Sequence, residues 1–359
     1  MESITLNLEE LRLGSVIAED IMANTHFPIA YKKTPVSREM LMVFRAFNIM
    51  KIPVIKESLE SNLEKTATKP IDNKTLETIS FERKLKEAVL KFKVEFQKWE
   101  AGSKVEIVKA RDIIIPLIED MLNDRTKIFT LNDLADSKDY TYHHPVSVAL
   151  VAAVIANKMN YNHGDVLQIA TAALLADCGM AKISKRIRMK PSKLTEFEYK
   201  EILSHPTHSL KMVKDIQLLK SEMKLGIVQH HEKLDGSGYP SGVKGDAISQ
   251  IAHIIAVADV FHAMTSERLY KEKESVFKAV EIIREAGFGK YRIDVIQALL
   301  SSVADLPLGT IVELSNSLIG TIVYTNTNII TRPIVKIEHN GELIDLSKKK
   351  NVYIHRVHV

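Results

Sequence analysis

The sequence predicts a mainly α-helical protein with a small α+β module at its N-terminal end and a short β appendage at its C-terminal end. In residues 111–300 one helical pattern follows another, and three segments are rich in small and aliphatic residues: 148–156, 168–176 and 251–264. Such helices are buried on most sides. A polar residue inside them needs a partner, because a buried unpaired carboxylate is costly.

The N-terminal module is predicted for residues 1–56. Apolar and polar residues alternate from Ile4 to Leu8, which favours a strand, and Ser37 is placed to cap a short helix. Residues 52–55 follow as a second strand. The module carries no ligand signature, so we interpret it as a packing or interaction module.

Residues 57–110 are predicted to form a polar linker followed by a connecting helix. Apolar residues recur in this helix at alternating spacings of four and three, which is the pattern of an a/d seam. The seam consists of Leu85, Val89, Phe92, Phe96 and Trp99. Two interpretations fit it: the helix packs on its own domain, or residues 85–99 join two copies of the chain in a homodimer.

The C-terminal appendage is predicted for residues 301–359. Strand-like runs occur at 310–314, 320–324 and 333–337, and Asn340-Gly341 is a strong hairpin signal. These patterns favour a small antiparallel sheet.

The composition is that of an ordinary globular protein. The 359 residues are 26% charged and 45% hydrophobic, and the formal net charge is only +4. No zinc-finger, helix-turn-helix or P-loop motif is present, and no apolar run approaches the ~20 residues of a membrane span. The single cysteine, Cys178, excludes an intramolecular disulfide and suits a reducing compartment. No signal peptide is visible, so we expect a cytoplasmic protein that binds neither DNA nor membrane.

The most informative stretch runs from His230 to Pro240 and reads His-His-Glu-Lys-Leu-Asp-Gly-Ser-Gly-Tyr-Pro. Neighbouring side chains on a helix point about 100° apart, so the two adjacent histidines cannot both serve one core. At a helix end beside a cleft they can both reach one metal ion, for which imidazole is a common ligand. The glycines that follow let the backbone bend sharply and approach a ligand closely.

This stretch resembles the HD-GYP family, a bacterial branch of the HD phosphohydrolases that is named for a His-Asp pair and for the Gly-Tyr-Pro seen here at residues 238–240. The resemblance is strong from Tyr140 to Lys271 and looser in the flanks. It implies that residues 111–300 form an all-helical, HD-type metal-dependent phosphohydrolase domain. Members of the family bind two or three transition-metal ions and hydrolyse cyclic di-GMP.

The resemblance implies that one metal ion is held by three imidazoles and one carboxylate. These ligands are Asp177, His205, His230 and His231, and Asp177 would also bridge to a second ion. A mixed nitrogen and oxygen set suits a divalent transition metal, with iron or manganese favoured and zinc as an alternative.

The implied second metal site is damaged in this sequence. The family's ligands map onto His144, Asp177 and Asp259, but Ala176 stands where the His of the His-Asp pair belongs, and an alanine methyl cannot bind metal. His262 lies three residues after Asp259, on the same face of the predicted helix. We hypothesise that His262 turns inward and replaces the lost ligand.

Part of the substrate-handling machinery is implied to survive. Tyr239 matches the family tyrosine at the nucleotide, and Arg268 and Lys271 match its phosphate-binding pair. With Asp177 they are the candidate catalytic residues. Residues 182–193 also hold six basic residues and no acidic one, which predicts either a solvated surface or a lid over an anionic ligand.

Three functions are open at this point. The first is an HD-GYP-type phosphodiesterase that hydrolyses cyclic di-GMP, weakened because Ala176 replaces a His and Met180 replaces a Lys. The second is a catalytically inactive sensor or signalling scaffold that binds cyclic di-GMP. The third is a metal-dependent phosphohydrolase that acts on another nucleotide.

Overall fold

The computed structural model of the chain describes residues 3–8, 11, 14–22, 28, 30–36, 40–41, 44, 49–55, 80–131, 139–190, 192–267, 273–326 and 329–358. The chain divides into two compact units. The helical unit comprises residues 79–305 with 354–356, and the other unit comprises residues 1–78, 306–353 and 357–359. The predicted mainly α fold with small β parts is confirmed.

The described part of the helical unit contains eleven α-helices. They are α1 (Phe81–Glu100), α2 (Ile107–Asn123), α3 (Tyr140–Lys158), α4 (His163–Leu175), α5 (Lys185–Arg188), α6 (Glu196–Ile202), α7 (His205–Val213), α8 (Ser221–Gln229), α9 (Gln250–Thr265), α10 (Val276–Ala286) and α11 (Ile293–Ala304). Three short 3-10 turns occur at Arg125–Phe129, Cys178–Lys182 and Gly245–Ala247. None of the described helices is both long enough and apolar enough to cross a membrane.

Helix α3 lies at the centre of the helical unit and packs against α2, α4, α9 and α11. Its residues from Val146 to Ala156 are all buried, as are most residues of α4 and α9. These helices are apolar around most of their circumference, as the sequence predicts, because neighbours cover them on most sides. The buried polar side chains of these helices include His144 on α3 and His262 on α9.

The connecting helix α1 belongs to the helical unit. It begins at an N-cap, where Ser80 Oγ accepts a hydrogen bond from the backbone N–H of Arg83. All five seam residues are buried inside this single chain. The Phe96 ring lies 5.6 Å from that of Tyr142 on α3, edge to face. The seam residues thus pack against their own domain, as in the first of the two interpretations of the sequence.

Two small sheets are described outside the helices. Strands β1 (Ser3–Asn7) and β2 (Lys51–Ile55) pair antiparallel, over a small core that includes Ile17, Phe44 and Val54. The predicted cap Ser37 lies outside the described residues. The second sheet has five strands in the order β6-β5-β4-β3-β7. They are β3 (Ile311–Leu314), β4 (Ile319–Tyr324), β5 (Ile334–Ile337), β6 (Leu343–Asp345) and β7 (Ile354–His358).

The predicted Asn-Gly turn joins β5 to β6. Gly341 has a φ of +73°, a conformation that glycine adopts without steric cost, and its N–H donates to the carbonyl of Ile337 over 2.9 Å. Strand β5 pairs antiparallel with β4 on one side and with β6 on the other, as expected for a sheet made of hairpins.

Candidate metal centre

Four side chains from three separate segments of the helical unit converge on one point. Asp177 lies between the end of α4 and the following 3-10 turn, and His205 is the first residue of α7. His230 and His231 follow directly after the end of α8. Their ligand atoms all lie within 4.8 Å of one another. The structure therefore brings together the three imidazoles and the carboxylate that the sequence predicts for one metal ion.

Backbone carbonyls orient two of these imidazoles. His205 Nδ1 lies 2.8 Å from the carbonyl oxygen of Ile202, and His230 Nδ1 lies 2.6 Å from that of Ile227. A carbonyl can only accept, so each Nδ1 carries the proton. The Nε2 atoms are therefore available to bind a metal ion, and a second contact of this kind usually fixes the tautomer of a ligand histidine.

The two Nε2 atoms face each other and the same carboxylate oxygen. They are 3.3 Å apart, and they lie 3.0 Å (His205) and 3.4 Å (His230) from Asp177 Oδ1. In their neutral tautomers both nitrogens present lone pairs, so three acceptors meet with no donor between them. A proton or a cation is required at this point, and a divalent transition metal fits the donor set.

The electrostatics favour an ionised carboxylate and a neutral His231 ring, whereas the pKa of His205, which burial would lower, is raised by its hydrogen bond to Asp177 and by the charge of that carboxylate. Burial alone would raise the pKa of Asp177, but hydrogen bonds and charge interactions with His205 and His230 hold it well below its usual value. Burial and the neighbouring charge of His230 hold the pKa of His231 well below normal. The carboxylate is therefore ionised and the His231 ring neutral at physiological pH.

The second carboxylate oxygen of Asp177 faces a second group of residues. Asp177 Oδ2 lies 3.8 Å from Nε2 of His144, and the same nitrogen lies 2.8 Å from Asp259 Oδ1. Asp259 Oδ2 in turn lies 4.0 Å from His231 Nδ1. Asp177 thus stands between two polar clusters, and the buried methyl group of Ala176 contributes no ligand to either.

His262 turns inward, as hypothesised, and is only 1% exposed. Its Nδ1 lies 2.8 Å from Nδ1 of His144, on the opposite side of that ring from Asp259. Its Nε2 lies 3.1 Å from Oγ of Ser266. This geometry provides a hydrogen bond that orients His144, so the predicted role of His262 as a ligand stays a hypothesis.

The Gly-Tyr-Pro segment packs directly on the histidine pair. The ring of Tyr239 lies 4.6 Å from that of His231 and is nearly parallel to it. Gly238 approaches so closely that a Cβ atom would lie 2.5 Å from the Cα of Glu232. Burial and the charge of Asp177 raise the pKa of Tyr239, so its phenol keeps its proton and can donate a hydrogen bond.

Sequence reasoning missed several polar residues that support the site. Glu232 is 1% exposed, and its Oε1 accepts from the backbone N–H groups of Ser241 and Gly242. The hydroxyl of Tyr140 lies 3.1 Å from His144 Nδ1. Ser209 on α7 contacts the turn that carries Asp177. A carboxylate next to a histidine pair was a visible signal for Glu232, but nothing local marked Ser209.

The basic run at 182–193 is partly used by the fold. Lys182 Nζ donates to the carbonyl of Trp99 over 2.7 Å, and Lys190 pairs with Glu198. Arg188 pairs with Glu100. Lys185 and Arg186 are exposed and make no ion pair with a described residue. The predicted phosphate-binding pair, Arg268 and Lys271, lies outside the described residues.

Parts of the chain are similar to known proteins. The HD domain family model matches residues 116–294. A cyclic di-GMP phosphodiesterase of Pseudomonas aeruginosa is 28% identical over 66% of this chain and 57% of its own length. A cyclic di-GMP phosphodiesterase of Borreliella burgdorferi is 30% identical over 60% of this chain and 57% of its own length. A 3'3'-cGAMP-specific phosphodiesterase of Vibrio cholerae is 36% identical over 42% of this chain and 33% of its own length.

The chain thus spans a third to three-fifths of the length of these curated relatives. A solved HDG"Y"P protein from Bdellovibrio bacteriovorus is 15% identical, with a TM-score of 0.49 over 83% of this chain and 98% of that one. The resemblance predicted from the sequence is confirmed by the matched family model and the curated relatives: the chain belongs to the HD domain family.

Proposed function

We propose that this chain is a metal-dependent phosphodiesterase that hydrolyses cyclic di-GMP or a closely related cyclic dinucleotide. The observation that carries this proposal is the convergence of His205 Nε2 and His230 Nε2 on the ionised carboxylate of Asp177. The names of the relatives, which are phosphodiesterases of cyclic di-GMP and of 3'3'-cGAMP, support the choice of substrate.

The ion would be held by Asp177, His205, His230 and His231. Iron or manganese suits this mixed set of nitrogen and oxygen donors, with zinc as the alternative. When bound, a divalent metal supplies a water of low pKa and stabilises charge on the phosphoryl oxygens.

The residues of the chain supply the rest of the chemistry. Asp177 presents one oxygen to each cluster, so a second ion would meet His144, Asp259 and Asp177. The protonated phenol of Tyr239, stacked on His231, can donate to a phosphoryl or leaving oxygen. Because Ala176 offers no donor, we propose that the second position is weaker and that hydrolysis is slow.

The same deficiency favours a second candidate function. With Ala176 and Met180 in place of a ligand and a phosphate-binding lysine, the chain would bind a cyclic dinucleotide without cleaving it and would act as a sensor. The third candidate, hydrolysis of another nucleotide, differs from the first only in its substrate, and the Vibrio cholerae relative's specificity makes 3'3'-cGAMP the first alternative to test.

The full chain, loaded with manganese or ferrous iron without oxygen, should convert cyclic di-GMP or 3'3'-cGAMP into linear or mononucleotide products that chromatography separates. His231→Ala should abolish the products, because it removes one imidazole of the cluster. His163→Ala is the control, since His163 lies on the surface and pairs with Glu119. Equal rates in the His231 variant would refute the proposal. Nucleotide binding without any product would support the sensor.

A further inference from the structure

One hydroxyl group holds the turn that carries Asp177. Ser209 lies on α7, one helical turn after His205, and is fully buried. Its Oγ donates to the carbonyl of Ala176 over 2.6 Å and accepts from the N–H of Gly179 over 2.8 Å. Ala176 precedes Asp177 and Gly179 follows it by two residues. The serine therefore binds the backbone on both sides of the carboxylate.

The Gly179 N–H is the group that Asp177 would otherwise bind. Asp177 is the N-cap residue of the 3-10 turn Cys178–Lys182, and an N-cap aspartate usually accepts from the N–H two or three residues ahead. Here the Asp177 side chain makes no capping hydrogen bond to a described residue. Ser209 takes the N–H in its place, and the carboxylate is left facing His205 and His230.

The packing around this hydroxyl is tight. A Cβ atom on Gly179 would lie 2.2 Å from the carbonyl oxygen of His205 and 2.4 Å from the backbone nitrogen of Ser209. The turn and the first residues of α7 are thus in backbone contact. Ser209 joins two segments that each supply one candidate ligand. Its hydrogen bonds therefore help to set the 3.0 Å distance between Asp177 Oδ1 and His205 Nε2.

We propose that Ser209 is a positioning residue of the metal centre. Its hydroxyl caps the turn on behalf of Asp177, so that the carboxylate is kept for the metal ion instead of its own backbone. This inference rests on the proposed function only in taking the cluster as a metal site, and it does not depend on the substrate. Loss of such a supporting contact typically lowers metal affinity by about 10-fold or more.

A purely structural role predicts a different result. If Ser209 had only a structural role, its removal would lower the free energy of unfolding, by about 1–3 kcal/mol where a buried polar group is left unpaired, and would leave metal affinity unchanged. Ser302 on α11 offers a matched control, because it is 5% exposed and its Oγ donates to the carbonyl of Ala298 over 2.7 Å. Ser302→Ala removes a buried hydroxyl remote from the metal centre in sequence and should leave metal affinity as in wild type.

The test titrates Mn²⁺ into the metal-free full chain by calorimetry and measures urea unfolding of the metal-free form. Ser209→Ala should bind Mn²⁺ about 10-fold more weakly than wild type, whereas Ser302→Ala should match wild type. If Ser209→Ala does not fold, Ser209→Cys keeps a weak donor and acceptor and should give an intermediate loss.

Wild-type Mn²⁺ affinity in the Ser209 variant would overturn the inference. Failure of the wild-type chain to bind metal would refute both the metal centre and this role. Metal binding by wild type without nucleotide hydrolysis would refute only the proposed function, and the Ser209 comparison would still decide the inference.

Discussion

His253 on α9 is fully buried, and neither of its ring nitrogens has a hydrogen-bond partner among the described residues. Burial, with the positive charge of Arg292, lowers its pKa from 6.5 to about 4. Between these two values the unfolded chain binds more protons than the folded one. His253 therefore contributes stability that is present above pH 6.5 and is lost as the pH falls towards 4.

Replacing His253 by Phe should remove this part of the pH dependence. The difference between pH 7.5 and pH 5 in the free energy of unfolding, measured in urea, should shrink by about 1–2 kcal/mol, since one pKa unit corresponds to about 1.4 kcal/mol. His163→Phe, at an exposed position, should leave the slope as in wild type. An unchanged slope in the His253 variant would show that this histidine does not control acid stability.

At the level of single residues, the candidate metal ligands could be predicted from the family resemblance and the histidine pair, and their supports could not. Two adjacent histidines before a glycine-rich turn are hard to explain as core residues, so His230 and His231 stood out. Ser209 is a serine like many others in the sequence. Its partners, Ala176 and Gly179, are remote in the chain, and only packing brings them together.

At the scale of elements, the contact between the 3-10 turn Cys178–Lys182 and α7 is decisive for the site. Each element supplies or follows a ligand, and the two backbones touch at Gly179. Helix α1 meets the same turn, because Lys182 donates to the carbonyl of Trp99 at its C-terminal end. The turn is therefore held by contacts with both α7 and α1.

Gly179→Ala should accordingly destabilise the helical unit by roughly 1–3 kcal/mol, the usual cost of overpacking, and weaken metal binding. The added methyl would meet the His205 carbonyl at 2.2 Å. Gly164→Ala on α4 is the control, since its Cβ would meet only Asn162 Oδ1, at 3.4 Å. That variant should be as stable as wild type or slightly more stable. Thermal unfolding and Mn²⁺ titration distinguish the two, and equal behaviour would contradict the predicted clash.

The hydrophobic pattern of the sequence predicted the helices and strands, but it did not predict which elements pack against one another. The seam from Leu85 to Trp99 predicted a helix with one apolar stripe, and it left open what would cover that stripe. The structure covers it with residues of the same unit, such as Tyr142. An apolar stripe about two heptads long looks the same in sequence whether it packs within one chain or between two copies. Only the tertiary packing distinguishes the two.

At the scale of the whole molecule, the candidate site gathers residues that are far apart in the chain. His144 lies on α3, Asp259 lies on α9, and the cluster between them comes from the ends of α4 and α8 and the start of α7. The unfolded chain cannot hold these groups together, so metal binding should stabilise the folded helical unit.

A metal concentration 100-fold above the dissociation constant should add about 2.7 kcal/mol to the free energy of unfolding. Adding Mn²⁺ to the full chain should therefore raise its Tm, and EDTA should reverse the shift. His231→Ala should lose the shift and His163→Ala should keep it. A metal-induced shift of equal size in both variants would mean that the ion binds somewhere else.

Asp177 and His205 stand at the two ends of residues 178–204, which include the exposed Lys185 and Arg186. One ion shared by both residues would close this segment into a loop and would remove much of the entropy that the segment gains on opening. The loaded protein should then open here only rarely. The metal-free protein would unfold locally here more often and would let a trypsin-like protease bind the backbone around these basic residues, so the metal content of the site would set how long the segment survives digestion.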